Sequence, residues 1–147
     1  MISNKHKCIF IHIPHTGGTS IEYFLQQLPE GWKRAANRDG KIDGKHYSAK
    51  KHLRIRPKLW EKYFTFSVVR NPWDRFVPLY YFKKLYSNYQ PSLTEFLKMS
   101  VEEAKEIGKI SNDWKPAKYK TQLEYISKDN NVIVDFVGRF ENLQKDF

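Results

Sequence analysis

The chain has 147 residues, of which 40% are hydrophobic and 16% aromatic, and its 26 basic and 16 acidic side chains give a formal charge of +10. This composition predicts one folded domain and excludes a disordered chain, and the longest apolar stretches, residues 8–13 and 64–69, are far shorter than the ~20 residues that span a bilayer. Because the single cysteine, Cys8, cannot form an internal disulfide and no secretory signal is visible, a reducing cytoplasmic location is expected.

The first predicted strand is the apolar, β-branched run at residues 7–13, which is closed by the turn-forming sequence PHTGGTS at residues 14–20. Apolar residues then recur at steps of three and four over residues 21–28, which predicts a helix directly after the turn. Residues 32–56 are rich in Lys, Arg, Asp and Gly and are predicted to be loops, with one short helix over residues 48–55.

The same order of elements recurs in the second half of the chain. Residues 63–69 predict a second strand, after which Asn71 suits a helix N-cap and Pro72 the first helical position. Further helices are predicted over residues 92–99, 101–107 and 118–127, and a third strand over residues 132–137. Strands that alternate with helices predict a parallel sheet with right-handed crossovers and helices on both faces.

The first turn has groups that suit an anion. Residues 14–20 offer two glycines whose amides can approach an oxyanion closely, and hydroxyl side chains at the start of a helix. The turn is not a nucleoside-triphosphate P-loop, because Thr19 follows Gly18 where that motif requires lysine. Taken alone, an ordinary strand-to-helix turn explains these residues equally well.

Each of the three predicted strands ends in a distinctive segment: IHIPHTGGTS at residues 11–20, VRNPWDRFV at residues 69–77 and VGRFENL at residues 137–143. Together these segments resemble the sulfotransferase family, in the branch of the carbohydrate sulfotransferases and their bacterial relatives. The resemblance implies a P-loop-like, three-layer α/β fold in which helices flank a central parallel sheet. It covers residues 1–147 as one domain, and because the family continues past the position of Phe147, this domain is expected to lack its C-terminal part.

The resemblance also implies an activity. The chain would transfer a sulfuryl group from 3′-phosphoadenosine 5′-phosphosulfate (PAPS) to a hydroxyl or amine of a small-molecule or carbohydrate acceptor, with no metal and no membrane involved. The first loop would cradle the 5′-phosphosulfate, and the arginine after the second strand would hold the 3′-phosphate. The residues expected to bind the nucleotide are His15, Thr16, Gly17, Gly18, Thr19, Ser20, Arg70 and Arg139. For Arg139, a structural ion pair with Glu141 or another acid is an equally good explanation.

Two positions depart from the pattern of the family. His15 stands where relatives carry lysine or arginine, and it can stabilise charge on the departing phosphate only when it is protonated. Pro78 stands where relatives carry a serine that contacts the 3′-phosphate, and a proline there is expected to kink the helix. A catalytically degenerate anion-binding module of the same fold is therefore the alternative function.

The base that accepts the proton of the acceptor is expected to be His46, in the irregular basic segment between the two anion loops. The run of Lys45, Lys50, Lys51, Arg54, Arg56 and Lys58 is explained either by a solvated face or by a site for an anionic acceptor. Nucleic-acid binding through the net charge is a weaker alternative because no recognition motif accompanies that charge.

Overall fold

The computed structural model describes residues 1–25, 46–86, 91–108 and 120–146. The strands are β1 (Ile2–Ser3), β2 (Cys8–Ile11), β3 (Phe64–Val69), β4 (Ser127–Lys128), β5 (Asn131–Val132) and β6 (Phe136–Arg139). The helices are α1 (Gly18–Phe24), α2 (Ala49–Ile55), α3 (Pro57–Trp60), α4 (Pro72–Tyr86), α5 (Leu93–Gly108), α6 (Gln122–Ile126) and α7 (Leu143–Asp146), with a 3-10 turn at Phe140–Asn142. Within these ranges no helix is long and apolar enough to cross a membrane.

A four-stranded sheet forms the centre of the fold. Its order is β1-β2-β3-β6, and β2, β3 and β6 are parallel, whereas β1 pairs with β2 in the antiparallel direction. Ile11 is in register with Ser67, and Val69 is in register with Arg139. The three parallel strands therefore end at the same edge of the sheet, where their following loops can meet. This confirms the predicted α/β fold with a parallel sheet.

Both faces of the sheet are covered. On β2, Cys8 and Phe10 pack with residues of α1 into one buried cluster, whereas Ile9 and Ile11 pack with residues of α2 and α6 into another. This alternation is the two-residue period of a strand, with apolar side chains on both faces. The prediction of helices on both faces is confirmed by these contacts.

The third strand was predicted in the wrong position. Val132 belongs to a short hairpin of β4 with β5, and the strand that joins the sheet begins at Phe136. Asp135 ends the intervening segment, and its carboxylate accepts hydrogen bonds of 2.7 Å from the amide and the hydroxyl of Thr65. The sequence is apolar on both sides of Asp135 because the segment before β6 also packs on the core, through Ile133 and Val134. Apolar composition alone does not distinguish these two roles.

One helix prediction also changes. Residues 92–99 and 101–107 form one helix, α5, rather than two, and it begins after Ser92, whose hydroxyl accepts a hydrogen bond of 3.3 Å from the amide of Glu95. Helix α4 continues through Pro78, where the missing amide leaves one helical hydrogen bond unmade. The short helix predicted over residues 48–55 is confirmed as α2, with Ser48 as its N-cap.

One buried histidine of α2 makes the fold sensitive to acid. His52 is 2% exposed, and neither ring nitrogen has a hydrogen-bond partner in the described part of the chain. Burial, with smaller effects of the N-terminal ammonium and Arg56, lowers the pKa of His52 to about 3. The unfolded chain therefore binds this proton near pH 6.5 while the folded chain does not. Folding stability must fall as the pH decreases through that interval.

We expect the His52→Leu variant to lose less stability than the wild type between pH 6.5 and pH 4, by up to about 1.4 kcal/mol per pH unit. Urea unfolding at a series of pH values measures this difference, and an exposed-histidine variant, His6→Leu, controls for the removal of a histidine. Parallel pH profiles of the wild type and His52→Leu would contradict the assignment of a neutral, buried imidazole.

Candidate active site

Phe140 joins the ends of the three parallel strands. It follows β6 directly, and its ring lies 4.3 Å from the guanidinium carbon of Arg70, which follows β3. The same ring lies against Gly17 in the loop after β2, where an added Cβ would be 2.7 Å from Cε2 of Phe140. Gly17 also has a φ of 79°, a conformation that favours glycine. The predicted anion loop and Arg70 are thus brought together by a residue that the sequence did not single out.

Arg70 is held by its backbone and has an unused donor. Its amide donates to Oε1 of Gln122 at 2.8 Å, and its carbonyl accepts from Nε2 of the same side chain at 2.7 Å. One terminal nitrogen of the guanidinium lies 3.5 Å from the carbonyl oxygen of His15. Nε is buried and has no hydrogen-bond partner among the described residues. A buried, unpaired donor of a cation beside the loop fits an anionic ligand.

Arg139 occupies a different environment from Arg70. Its side chain is exposed, and its amide donates to the carboxylate of Asp146 at 3.0 Å. Glu141 instead accepts a hydrogen bond of 2.6 Å from the amide of Asn71, which lowers the pKa of this carboxyl, with smaller effects of Arg70 and Arg139. Within the described ranges no ion pair joins Arg139 to Glu141. Its role toward the nucleotide stays a prediction.

Arg75, near the start of α4, supports the loop. Its Nε donates to the carbonyl oxygen of Pro14 at 2.9 Å. The next residue, His15, has a φ of 65°, and Thr16 donates its hydroxyl to the carbonyl oxygen of Ile13 at 2.9 Å. Thr16 is fully buried, so its side chain maintains the shape of the loop, whereas Thr19 and Ser20 are exposed at the start of α1.

The half-buried His15 is uncharged in the unliganded protein near neutral pH. Burial lowers its pKa, and the positive charges of Arg75 and Arg70 and the neighbouring His12 lower it further. An anion bound at the loop would oppose all three electrostatic effects. Protonation of His15 is therefore coupled to the presence of a negative ligand.

Beneath the loop lies a buried polar pair. Nδ1 of His12 contacts Oε1 of Glu22 on α1, and the two residues are 4% and 1% exposed. The ring of His12 faces Gly18, where an added Cβ would lie 2.4 Å from Cδ2 and Nε2 of the ring. Gly18 therefore permits α1 to approach the strand end closely. The sequence predicts that this glycine also lets an anion approach the backbone, and that role stays a prediction.

His46 lies next to this pair. Its Nδ1 is 3.1 Å from the carbonyl oxygen of His12, and the two rings are 4.6 Å apart. Because a carbonyl oxygen only accepts hydrogen bonds, Nδ1 carries the proton. In the neutral ring Nε2 is then the basic nitrogen, which is the form that a general base requires.

His46 also lines a groove of about 500 Å³. Among its other lining residues are the basic side chains Lys50, Lys51, Arg54 and Lys120, and the carboxylate of Glu124. The predicted basic run is thus divided: Arg56 and Lys58 lie outside this lining, and Lys45 lies outside the described residues. Among the described residues no group of three His, Cys, Asp or Glu side chains is arranged to hold a metal ion.

The sequence profile of the Sulfotransferase family matches residues 1–147. The chain belongs to the sulfotransferase family. It is 34% identical over 94 residues to an uncharacterized protein of Archaeoglobus fulgidus, a match that covers 63% of this chain and 68% of that protein. No solved structure matches the chain. This match confirms the resemblance that the three strand-end segments indicate, and it supports a transferase.

The close packing of Gly18 on His12 predicts that this sulfotransferase loses stability in the Gly18→Ala variant. The added methyl group would meet a buried ring that Glu22 holds in place, and overpacking of this kind costs about 1–3 kcal/mol. Urea unfolding measures the loss. The Ser20→Ala variant, which changes an exposed side chain in the same turn, is the control, and equal stability of the two variants would contradict this role of Gly18.

Proposed function

We propose that this sulfotransferase transfers a sulfuryl group from PAPS to a hydroxyl or amine of a small-molecule or carbohydrate acceptor. The observation that carries the proposal is the guanidinium of Arg70, with its buried and unpaired Nε, beside the loop of His15 and Gly17. Ligands of open parallel sheets bind beyond the carboxyl ends of the strands, where these groups lie. Family membership supplies the reaction class.

The nucleotide is proposed to bind across the strand ends in one orientation. His15, Gly17, Gly18, Thr19 and Ser20 would surround the 5′-phosphosulfate, with Thr16 maintaining the loop from below. Arg70 would hold the 3′-phosphate, because its guanidinium is fixed between the loop and Phe140. Arg139, exposed at the end of β6, is proposed to contact the nucleotide from the outer side.

The proposed reaction is an in-line transfer. The acceptor oxygen or nitrogen attacks sulfur, the bond between sulfur and the bridging phosphate oxygen breaks, and 3′,5′-adenosine bisphosphate leaves. Nε2 of His46 accepts the acceptor proton, since the hydrogen bond to His12 fixes the proton of the ring on Nδ1. Protonated His15 stabilises the negative charge that develops on the departing phosphate.

Calorimetric titration with 3′,5′-adenosine bisphosphate tests the class of nucleotide without requiring the acceptor. We expect the Arg70→Ala variant to bind this ligand roughly tenfold or more weakly, and adenosine 5′-phosphate less than about threefold more weakly, because only the bisphosphate has the group that Arg70 contacts. The backbone clamp by Gln122 does not depend on the guanidinium, so the strand end should remain in position.

A gain-of-affinity variant complements this loss. Pro78→Ser returns the hydroxyl that relatives carry on this helix, and it should strengthen binding of the bisphosphate by at most about 1.5–3 kcal/mol, the value of one hydrogen bond to a charged group. Equal losses for both nucleotides in Arg70→Ala would instead mean that the arginine supports the fold or contacts another group.

The pH dependence of turnover tests His15. Because its pKa is lowered in the unliganded protein and raised by a bound anion, the rate should fall as the pH rises through the pKa of the complex. The His15→Lys variant should shift this alkaline limit upward and raise the rate at neutral pH. Initial rates of PAPS consumption across a pH series, with a broad panel of acceptors, measure both effects.

The His46→Ala variant is the matched comparison, since it removes the proposed base from the other side of the site. It should depress the rate at every pH and leave the affinity for the bisphosphate unchanged. An unshifted pH profile in His15→Lys, with nucleotide binding intact, would exclude His15 as the catalytic cation.

The second candidate function is a nucleotide-binding module of this family without transfer chemistry. The low pKa of His15 favours it, because the unliganded loop then lacks the cation that relatives carry. Binding of the bisphosphate without turnover, in both the wild type and His15→Lys, would support this alternative. For either function a reducing cytoplasmic location is proposed, in agreement with the buried free thiol of Cys8.

A further inference from the structure

We propose that Glu22, acting through His12, is a positioning residue that holds the ring of His46 in the orientation in which Nε2 is the basic nitrogen. The role of His46 as the base rests on the proposed function, but its orientation does not and can be measured without turnover. The inference gives a role to a buried polar pair that the proposed transfer does not otherwise use.

Stability alone does not explain the pair of Glu22 and His12. Both side chains are almost fully buried, and burial of ionisable groups costs free energy that their mutual contact only offsets. The surroundings are apolar, since Phe10 stacks on the ring of His12 and Ile21 lies beside Glu22 on the buried face of α1. Apolar residues of similar volume usually stabilise such a place equally well or better. An acid and a histidine here therefore serve another requirement.

The ring of His12 is held from two elements. It follows β2 and continues the two-residue period of Phe10, whose ring centroid lies 5.6 Å away. From α1, the carboxylate of Glu22 contacts Nδ1, and the backbone of Gly18, one helical turn earlier, lies against Cδ2 and Nε2. The carboxylate therefore determines which nitrogen faces Glu22, and with it the orientation of the ring.

Both the backbone and the side chain of His12 orient His46. Nδ1 of His46 donates to the carbonyl oxygen of His12 at 3.1 Å, and this hydrogen bond selects the tautomer. The two rings meet at 4.6 Å with an angle of 72° between their planes, and this contact fixes the plane of His46. If the ring of His12 turned, His46 would lose this surface and would exchange between orientations and tautomers.

Nitrogen NMR of protein labelled with 15N in its five histidines tests the orientation without any substrate. Long-range nitrogen–proton spectra show which ring nitrogen of a neutral imidazole carries the proton, and the His46→Ala variant identifies the signals of His46. At about pH 9, where an ordinary imidazole is neutral, we expect the Nδ1–H form of His46 to exceed the other by roughly tenfold, the preference that one hydrogen bond provides.

The Glu22→Leu variant removes the carboxylate at similar volume, and it should shift His46 toward the Nε2–H form. Glu22→Gln keeps an oxygen in the place of Oε1 and should retain the wild-type tautomer. An Nε2–H form of His46 in the wild type, or an unchanged spectrum of His46 in Glu22→Leu, would overturn the proposal.

Two further variants separate orientation from a general loss of stability. Glu22→Asp keeps the charge but withdraws it from Nδ1 of His12, so it should resemble Glu22→Leu and replaces that variant if Leu prevents folding. Ile21→Val removes a buried methylene from the same turn of α1 without changing the pair, and it should leave His46 as in the wild type. An equal change of His46 in Ile21→Val would mean that α1 merely loosens, and the proposal would be wrong.

Turnover connects the orientation with the reaction. Glu22→Leu or Glu22→Asp should lower kcat roughly tenfold or more, because a displaced base rarely meets the acceptor proton in line. The affinity for 3′,5′-adenosine bisphosphate should stay within about threefold, since the pair contacts the loop only through backbone that Arg75 also holds. Glu22→Gln should restore kcat to within about threefold of the wild type.

Failure of this inference and failure of the proposed function give different results. If the tautomer of His46 depends on Glu22 but the wild type consumes no PAPS with any acceptor, the inferred orientation stands and the proposed function falls. If the wild type consumes PAPS and Glu22→Leu changes neither the tautomer nor kcat, the proposed function stands and this inference falls.

Discussion

The contact of Phe140 with Gly17 and Arg70 is the interaction on which the site depends. The parallel sheet brings three strand ends to one edge, but a shared edge alone leaves the loops free to diverge. The ring of Phe140 fills the space between them and contacts both the loop backbone and the guanidinium. A guanidinium over an aromatic face is attracted by the ring quadrupole and keeps its positive charge. The contact therefore positions Arg70 and leaves its charge available.

Polar contacts from neighbouring elements then fix the backbone of this edge. Gln122 of α6 clamps Arg70, Arg75 of α4 holds the carbonyl of Pro14, and His12 with Glu22 ties α1 to the strand end. In each case a side chain from one element satisfies a group of another, as buried polar groups require. Helix α6 has a second role, because Glu124 lines the groove next to His46. The same short helix therefore contributes to the nucleotide side and to the acceptor side of the proposed site.

The sequence predicted what depends on local pattern and missed what depends on distant contacts. The strands β2 and β3 and the helix start at Pro72 follow from apolar runs, turn residues and capping residues, and they are confirmed. Strand β1 has two residues, too few for a pattern, and the start of β6 is set by the contact of Asp135 with Thr65 across the sheet. Phe140 and Arg75 act on partners more than sixty residues away in the chain, and nothing in their own segments reports those partners.

The charge of His15 follows from the same arrangement. Residues 14–20 contain no lysine or arginine, so the permanent positive charge at this loop comes from Arg70 and Arg75, which the fold brings to it. A lysine at position 15 would remain charged and would repel both arginines whenever the site held no anion. A histidine whose pKa is already lowered gives up its proton in that state and removes the repulsion. Binding of the anion and protonation of the imidazole are linked equilibria. If a bound anion strengthens proton binding by some factor, protonation strengthens anion binding by the same factor. His15 therefore becomes a cation only when the ligand binds, whereas a lysine would be a cation at all times. The proposed affinity for the nucleotide must therefore decrease toward alkaline pH.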